Sequence, residues 1–226
     1  MDENNEVVKM IVTEDGSHSL FVPGLNETYH SRHGAVQESE HVFIQMGLMH
    51  VLQHTRDIRL LEVGFGTGLN IWLTLKALQG KAVSAHCTSL ETFPLPEETY
   101  RLLNFADKAQ ESLRDAFLNM HHAAWNEPVR IEEDFILEKV QTTFQDFATD
   151  KKFNLVYYDA FGPPVQPEMW GLPIFEKMAT LMNQGGVLVT YCAKGQVRRN
   201  LEAAGFHVER LKGPPGKREM LRATKC

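Results

Sequence analysis

The sequence predicts an α/β fold, in which a mostly parallel sheet of seven strands is covered by helices on both faces. From residue 58 onward, apolar runs of strand length alternate with stretches of helical periodicity, a pattern typical of parallel sheets. A glycine-rich turn follows the first of these strands. The last two strands are joined by Gly213-Pro214-Pro215-Gly216, which is too short for a crossover helix and makes the last strand antiparallel.

The spacing of apolar residues predicts each element in turn. Before the sheet, two runs at 7–12 and 18–22 flank Glu14-Asp15-Gly16-Ser17 and predict a short N-terminal β-hairpin, and the spacing over 36–54 predicts a helix. Strands are predicted at 58–63, 83–90, 129–131, 153–158, 186–191, 206–211 and 219–223, and helices at 70–78, 96–120 (one or two), 135–147, 169–182 and 196–204. We expect one compact unit made of an extension, 1–57, and a main domain, 58–226.

Composition restricts the function classes. The chain has 226 residues, of which 43% are hydrophobic and 23% charged, and no apolar run approaches the roughly 20 residues that cross a bilayer. The acidic start, Met1 to Glu6, lacks the order of a signal peptide, and the three cysteines form no Cys-x-x-Cys pair. We therefore expect a cytoplasmic protein with no membrane contact and no bound metal.

The charge is unevenly distributed. The net charge is -6, yet nine Lys or Arg and only three Asp or Glu lie between Lys194 and Cys226. A basic segment in an acidic chain is a feature of proteins that contact a polyanion, although a solvated basic face gives the same pattern.

The turn after the first strand of the sheet is the most informative motif. It places Glu62, Gly64, Gly66 and Gly68 in the pattern Glu-x-Gly-x-Gly-x-Gly, ahead of a helix. A dinucleotide-binding turn, Gly-x-Gly-x-x-Gly, would place its third glycine at Leu69. A carboxylate at this strand end suits a cationic ligand better than a pyrophosphate. The pattern resembles the first motif of class I S-adenosylmethionine (SAM) methyltransferases, and this resemblance implies that the cofactor is SAM.

Carboxylates follow other strands as well. Glu91 lies 29 residues after Glu62, where a carboxylate can accept both ribose hydroxyls of an adenosine. Asp134 follows the predicted third strand, where it could meet an adenine amino group or simply cap the next helix. Asp159 follows the fourth. Ligands of such sheets bind beyond the carboxyl ends of the strands, so we expect these side chains to lie together.

Asp159 begins a stiff loop with three prolines, and it lies where the reactive carbon of a transferred group would be. It can orient an incoming amine or accept its proton. Phe161, Trp170 and Tyr191 could form a stacking platform for a planar base, or belong to the core or its rim.

Several longer motifs carry a resemblance to a known family. They are Asp159-Ala160-Phe161-Gly162-Pro163, Pro167-Glu168-Met169-Trp170, Gly185-Gly186, Gly195-Gln196-Val197-Arg198-Arg199-Asn200-Leu201, Ala204-Gly205-Phe206, Lys217-Arg218-Glu219-Met220-Leu221, His33-Gly34-Ala35-Val36-Gln37-Glu38-Ser39 and His41-Val42-Phe43. Together they resemble the methyltransferase domain of the MnmC-type tRNA wobble-uridine modification enzymes, over about residues 13–224.

The resemblance implies a Rossmann-like class I methyltransferase fold that uses SAM to methylate the primary amine of 5-aminomethyl-(2-thio)uridine at the wobble position of tRNA. Two-domain members also carry an FAD-dependent oxidase domain, for which 226 residues leave no room, so we expect no FAD. It further implies that Glu38 closes over the methionine end of SAM. The residues expected to face tRNA phosphate are Lys194, Arg198, Arg199, Lys217 and Arg218.

Two other functions remain open. One is a SAM-dependent transferase for a small-molecule amine, including aminopropyl transfer, although the basic last segment would repel a polyamine. The other is an inactive RNA-binding protein that keeps the fold. The sequence leaves undetermined the tRNAs used, the need for 2-thiolation, the oligomeric state, and whether Asp159 is a base or only orients the amine.

Overall fold

The computed structural model describes residues 8–226. The acidic start and Val7, the predicted first residue of the hairpin, lie outside the described residues. The predicted hairpin is confirmed as β1 (Lys9–Val12) and β2 (His18–Val22), which are joined by a short third strand, β3 (Glu27–Thr28), in an antiparallel sheet. The carboxylate of Asp15 shapes the hairpin turn by accepting a hydrogen bond from the Ser17 N–H at 2.9 Å.

The helix predicted at 36–54 is present, but its central turns are wound as a π-helix. It consists of α1 (Ala35–Ser39), the π-helix Glu40–Leu48 and α2 (Met49–Val51). Gly47 lets this helix lie close to the sheet, because a Cβ there would stand only 2.8 Å from Cγ2 of Val189.

In the part of the chain that the structure describes, the main sheet has eight strands in the order β10-β11-β9-β8-β4-β5-β7-β6. Strands β4, β5, β7, β8 and β9 are parallel, whereas β11 runs antiparallel to β9 and β10, and β6 antiparallel to β7. The strands are β4 (Asp57–Val63), β5 (Ser84–Glu91), β6 (Pro128–Glu132), β7 (Phe135–Gln141), β8 (Phe153–Tyr158), β9 (Met182–Thr190), β10 (Phe206–Lys212) and β11 (Glu219–Lys225). The remaining helices are α3 (Leu69–Leu78), α4 (Glu97–Tyr100), α5 (Glu111–His122), α6 (Leu172–Leu181) and α7 (Gly195–Ala203), with 3₁₀ turns at Pro23–Leu25 and Pro167–Trp170.

Helices cover both faces of the sheet, as predicted. Successive residues of a strand point to opposite faces, so Leu60 packs with the π-helix, α3 and α5, whereas Leu61 packs with α6 and α7. Both leucines are fully buried. No helix within residues 8–226 has the length and apolar character needed to cross a bilayer.

The prediction of a helix at 135–147 is wrong, and the strand found there changes the position of Asp134 in the sheet. Residues Phe135–Gln141 form β7, the parallel neighbour of β5, and residues 128–132 form an antiparallel edge strand. Asp134 lies in the turn between them, and its carbonyl accepts a hydrogen bond from Ala85 N at the start of β5. Asp134 therefore lies where the parallel strands β5 and β7 begin, at the end of the sheet opposite to their carboxyl ends.

Candidate functional site

A cavity of about 950 Å³ lies beyond the carboxyl ends of β4, β5, β7 and β8. The chain passes from β4 to β5 on one side, while β8 flanks β4 on the other, so the cavity is at the switch point of the sheet. Its walls include the loops that follow those strands and residues 27–33 of the N-terminal segment. The volume is at the upper end for small-molecule sites.

The glycine-rich turn forms the floor of the cavity. Gly64, Gly66 and Gly68 all have positive φ, and Gly68 (φ +72°) precedes the first residue of α3. A Cβ on Gly68 would stand 3.0 Å from Nε2 of His121, and one on Gly66 would stand 3.1 Å from the ring of Tyr29. The turn therefore needs glycine both for its backbone and for close packing.

Two buried histidines hold this turn, and the sequence analysis did not identify either. Nε2 of His30 is 2.7 Å from the hydroxyl of Thr67, and Nε2 of His121 is 3.2 Å from the Thr67 carbonyl. Burial lowers the pKa of His30 to about 4 and that of His121 to about 3, so both rings are neutral at pH 7. A neutral His121 donates its Nε2–H to the carbonyl.

Glu91 ends β5 and lines the cavity. Its Oε2 accepts a hydrogen bond from Gly66 N at 2.8 Å and its Oε1 accepts one from Phe93 N at 2.9 Å. Burial raises the pKa of this carboxyl. The two backbone donors fix the plane of the carboxylate, and each of its oxygens keeps a further lone pair that can accept a hydrogen bond.

Asp159 follows β8 and also lines the cavity. Its Oδ2 accepts a hydrogen bond from Nδ2 of Asn70 at 2.8 Å. Burial raises its pKa to about 8; the nearby Glu38 carboxylate adds to the rise, and the Lys217 ammonium opposes it.

Glu62 does not reach the cavity. It lies beneath the turn, fully buried, and one of its oxygens accepts a hydrogen bond from the Ser89 hydroxyl. Burial, followed by the proximity of Asp159 and Glu91, raises its pKa well above the ordinary value. The structure thus places this predicted cofactor-binding carboxylate under the turn and outside the cavity wall.

Glu38 and Lys217 meet at the cavity wall. Glu38 is buried, and it accepts hydrogen bonds from Ser31 N at 2.9 Å and from the Lys217 ammonium. The same ammonium lies 3.8 Å from the ring centroid of Tyr191, whose hydroxyl donates to the Ala160 carbonyl. Lys217 is therefore engaged in an ion pair at the cavity and does not project freely toward solvent.

The predicted stacking platform is only partly formed. Phe161 and Tyr191 line the cavity, and Phe161 packs edge to face on Tyr29 with ring centroids 5.5 Å apart. Trp170 is buried in the core and does not line the cavity; its Nε1 donates to the Phe161 carbonyl at 2.8 Å. Trp170 is therefore not part of the platform, and it instead holds the backbone of Phe161 in place.

The other basic residues predicted to face phosphate lie outside the cavity. Lys194, Arg199 and Arg218 are exposed, and Arg198 pairs with Glu202 at 2.6 Å.

In the position expected of Asp134, the structure instead places the loop 142–146 after β7. Within residues 8–226, no cluster of three or more His, Cys, Asp or Glu side chains could hold a metal ion.

Known proteins with similar sequences align with most of this chain. The protein named "tRNA 5-methylaminomethyl-2-thiouridine biosynthesis bifunctional protein MnmC" from Burkholderia thailandensis is 31% identical over 225 residues, which cover 94% of this chain and 34% of that protein. The protein of the same name from Cupriavidus metallidurans is 29% identical over 229 residues, covering 95% and 33%. The chain thus spans about one third of the length of these relatives.

A solved structure has the same fold. MnmC2 from Aquifex aeolicus superposes with a TM-score of 0.81 at 24% identity, over 98% of this chain and 71% of that one. Residues 104–226 match the model of a family described as S-adenosyl-L-methionine-dependent methyltransferase. The match covers more than half of the sequence, and the chain therefore belongs to this family of SAM-dependent methyltransferases.

Proposed function

We propose that the protein transfers a methyl group from SAM to the primary amine of 5-aminomethyl-(2-thio)uridine at the wobble position of tRNA. The observation that carries this proposal is the placement of Asp159 at the switch point, in one cavity with Glu91. One carboxylate is thereby available for the cofactor and another for the incoming amine. The relatives whose names refer to tRNA methylaminomethyl-thiouridine biosynthesis match 94–95% of the chain.

The cavity residues fit SAM. Glu91 is held by two backbone N–H groups, and its free lone pairs can accept the ribose hydroxyls. Gly64 and Gly66 line the cavity, so a ligand can approach the backbone of the turn there without meeting their side chains, whereas Gly68 packs against His121. The loop 142–146 borders the same cavity and is our candidate for contacts with the adenine. When bound, SAM supplies an electrophilic methyl group on a sulfonium.

The contribution of the protein is mainly to hold the reacting groups in line. Asp159 Oδ2 is occupied by Asn70, so Oδ1 is the oxygen that accepts a hydrogen bond from the substrate amine. The amine attacks only after losing a proton, and only the ionised form of Asp159 can accept it. A pKa of about 8 keeps that form accessible near neutral pH and makes it a strong proton acceptor. Phe161 and Tyr191 supply apolar surface for the base beside it.

The exposed basic residues Lys194, Arg199 and Arg218 are proposed to contact tRNA phosphates. Lys217 is proposed to contribute to tRNA binding at the mouth of the cavity, where Glu38 orients its ammonium. A basic approach of this kind favours an amine carried on a polyanion over a free polyamine, which the positive charge would repel.

Mass spectrometry of nucleosides tests the proposal. We expect that incubation of the protein with SAM and tRNA carrying 5-aminomethyluridine adds one methyl group to that nucleoside, and that Asp159→Asn abolishes most of the gain. Transfer to free putrescine but not to tRNA would instead establish the small-molecule alternative. SAM binding without transfer to either amine would contradict the proposed reaction.

A further inference from the structure

Lys139 is a buried lysine to which the proposed reaction assigns no role. It lies on β7, and only 1% of its surface is exposed. Taking an ammonium out of water is costly unless other groups replace the water, so a buried lysine needs specific contacts. Burial lowers the pKa of Lys139 to about 8, and the ammonium therefore remains the main form at pH 7.

A carbonyl and two aromatic rings contact this ammonium. Nζ of Lys139 donates a hydrogen bond to the His121 carbonyl at 2.5 Å, and it lies 4.6 Å from the ring centroid of Trp125 and 5.4 Å from that of Phe65. His121 is in the last turn of α5, where carbonyls lack a partner within the helix and form the negative end of its dipole. A cation at this point satisfies one such carbonyl, and the two rings stabilise its charge.

Backbone hydrogen bonds separately hold the segment after α5 against β7. Asn126 N donates to the Lys139 carbonyl at 2.6 Å, and Oδ1 of Asn126 accepts a hydrogen bond from Gln141 N at 3.0 Å. These bonds do not involve the lysine side chain, so the segment should stay docked when the ammonium is removed. The ammonium adds a fixed position for the last turn of the helix, which carries His121.

His121 connects this position to the glycine-rich turn. Its Nε2 is 3.2 Å from the Thr67 carbonyl, and its ring packs on that of Phe65 with centroids 5.3 Å apart. Both Phe65 and Thr67 line the cavity. The turn contains three glycines with positive φ, and a backbone of this kind has many other conformations available to it. Contacts from behind the turn therefore affect how often it has the shape that a ligand requires.

We propose that Lys139 is a positioning residue for SAM binding. Its ammonium fixes the His121 carbonyl at the end of α5, and the His121 ring in turn holds the Thr67 carbonyl and the glycine-rich turn. Lys139 itself contacts neither SAM nor tRNA. The inference rests on the proposed function only in placing SAM on this turn, and it does not depend on which amine is methylated.

Lys139→Met keeps a side chain of similar length and removes the charge and the hydrogen-bond donor. We expect the variant to unfold cooperatively in urea near the wild-type midpoint, because relief of the buried charge offsets the lost hydrogen bond. Its SAM affinity in calorimetry should be about tenfold weaker. With SAM saturating, single-turnover methyl transfer should stay within about threefold of wild type, because Asp159 is unchanged.

Lys152→Met is the matched control. Lys152 is exposed, and its ammonium also donates to a carbonyl near the end of a helix, that of Thr180 in α6 at 2.6 Å. The control should bind SAM as wild type does. Wild-type affinity in a folded Lys139→Met protein would overturn the proposal. A wild-type protein that binds SAM but does not methylate tRNA would count against the proposed function alone.

Hydrogen exchange in the wild-type protein provides a test that does not depend on how the variant folds. Coupling between two sites is reciprocal, so if the end of α5 supports SAM binding, SAM must stabilise the end of α5. We expect saturating SAM to slow amide exchange over residues 119–123 by at least about threefold, although these residues lie behind the cavity wall. Exchange at the end of α6 should not change. Equal exchange over 119–123 with and without SAM would show that the contacts from Lys139 to the turn carry no coupling.

Discussion

Replacing Asp159 by Asn should make the ligand-free protein more stable at neutral and alkaline pH while removing most of its activity. Burial raises the pKa of Asp159 from 3.8 to about 8, so the folded protein binds this proton more tightly than the unfolded chain does. Between these two pH values only the folded state retains the proton, and stability therefore falls as the pH rises. The loss is absent below pH 4 and complete above pH 8.

The displacement of the pKa sets an upper limit of about 6 kcal/mol on this loss. Asp159 is partly exposed to the cavity, where water screens its charge, so we expect about 2 to 3 kcal/mol. Asn preserves the shape and removes the charge. The stability advantage of Asp159→Asn should thus be near zero at pH 4 and about 2 to 3 kcal/mol at pH 8.5.

Urea denaturation of the two proteins across this pH range measures the difference directly. Burial is the main cause of the raised pKa of Glu62 and of Glu91 in both proteins, so most of their contribution to the pH dependence cancels. Asp150→Asn, at an exposed position, is a matched control that should show no such dependence. A variant that is equally or less stable than wild type at pH 8.5 would refute the assignment of a desolvated, proton-binding carboxyl at this position.

Three further predictions concern the cofactor and tRNA. Glu91→Ala should weaken SAM binding by about 1.5 to 3 kcal/mol in calorimetry, because it removes a charged acceptor, and an unchanged affinity would place the adenosine elsewhere. Arg218→Glu should leave SAM affinity unchanged but reduce the salt dependence of tRNA binding by about one unit of slope; coincident slopes would mean that this arginine is only solvated. Gly68→Ala should lower both stability and SAM affinity, since its Cβ would stand 3.0 Å from Nε2 of His121. Gly80→Ala is its control, because Gly80 has a similar φ of +68° but nothing within 4 Å, and equal losses in the two variants would show that the close contact is unimportant.

The sheet could be predicted where its strands carry uninterrupted apolar runs. At β4, β8 and β9 the run, the following turn and the next helix agree, and the structure confirms them. The pattern was misleading at β7, where Phe135, Leu137 and Lys139 are the inward-facing residues. A lysine at a buried position hides the alternation, and Phe144 and Phe147 beyond the strand complete an apparent helical period.

Site residues could be predicted where they follow a correctly predicted strand. Glu91 and Asp159 each follow a parallel strand that the sequence predicts correctly, and both line the cavity. Asp134 follows an antiparallel edge strand instead, so it lies away from the cavity. His30 and His121 could not have been found, since each reaches Thr67 through contacts distant in sequence. Such pairings depend on tertiary packing, which no local pattern records.

The wall that residues 27–33 contribute to the cavity affects how this protein could be recombined with others. The ring of Tyr29 covers Gly66, and Leu20 and Phe43 share a core with the strands of the main sheet. A graft that transferred only residues 58–226 to another scaffold would carry the glycine turn but leave one side of its ligand site open to water. The smallest exchangeable module is therefore the sheet together with the segment that precedes it, and a chimera joined at residue 58 should need a replacement lid before it can retain SAM.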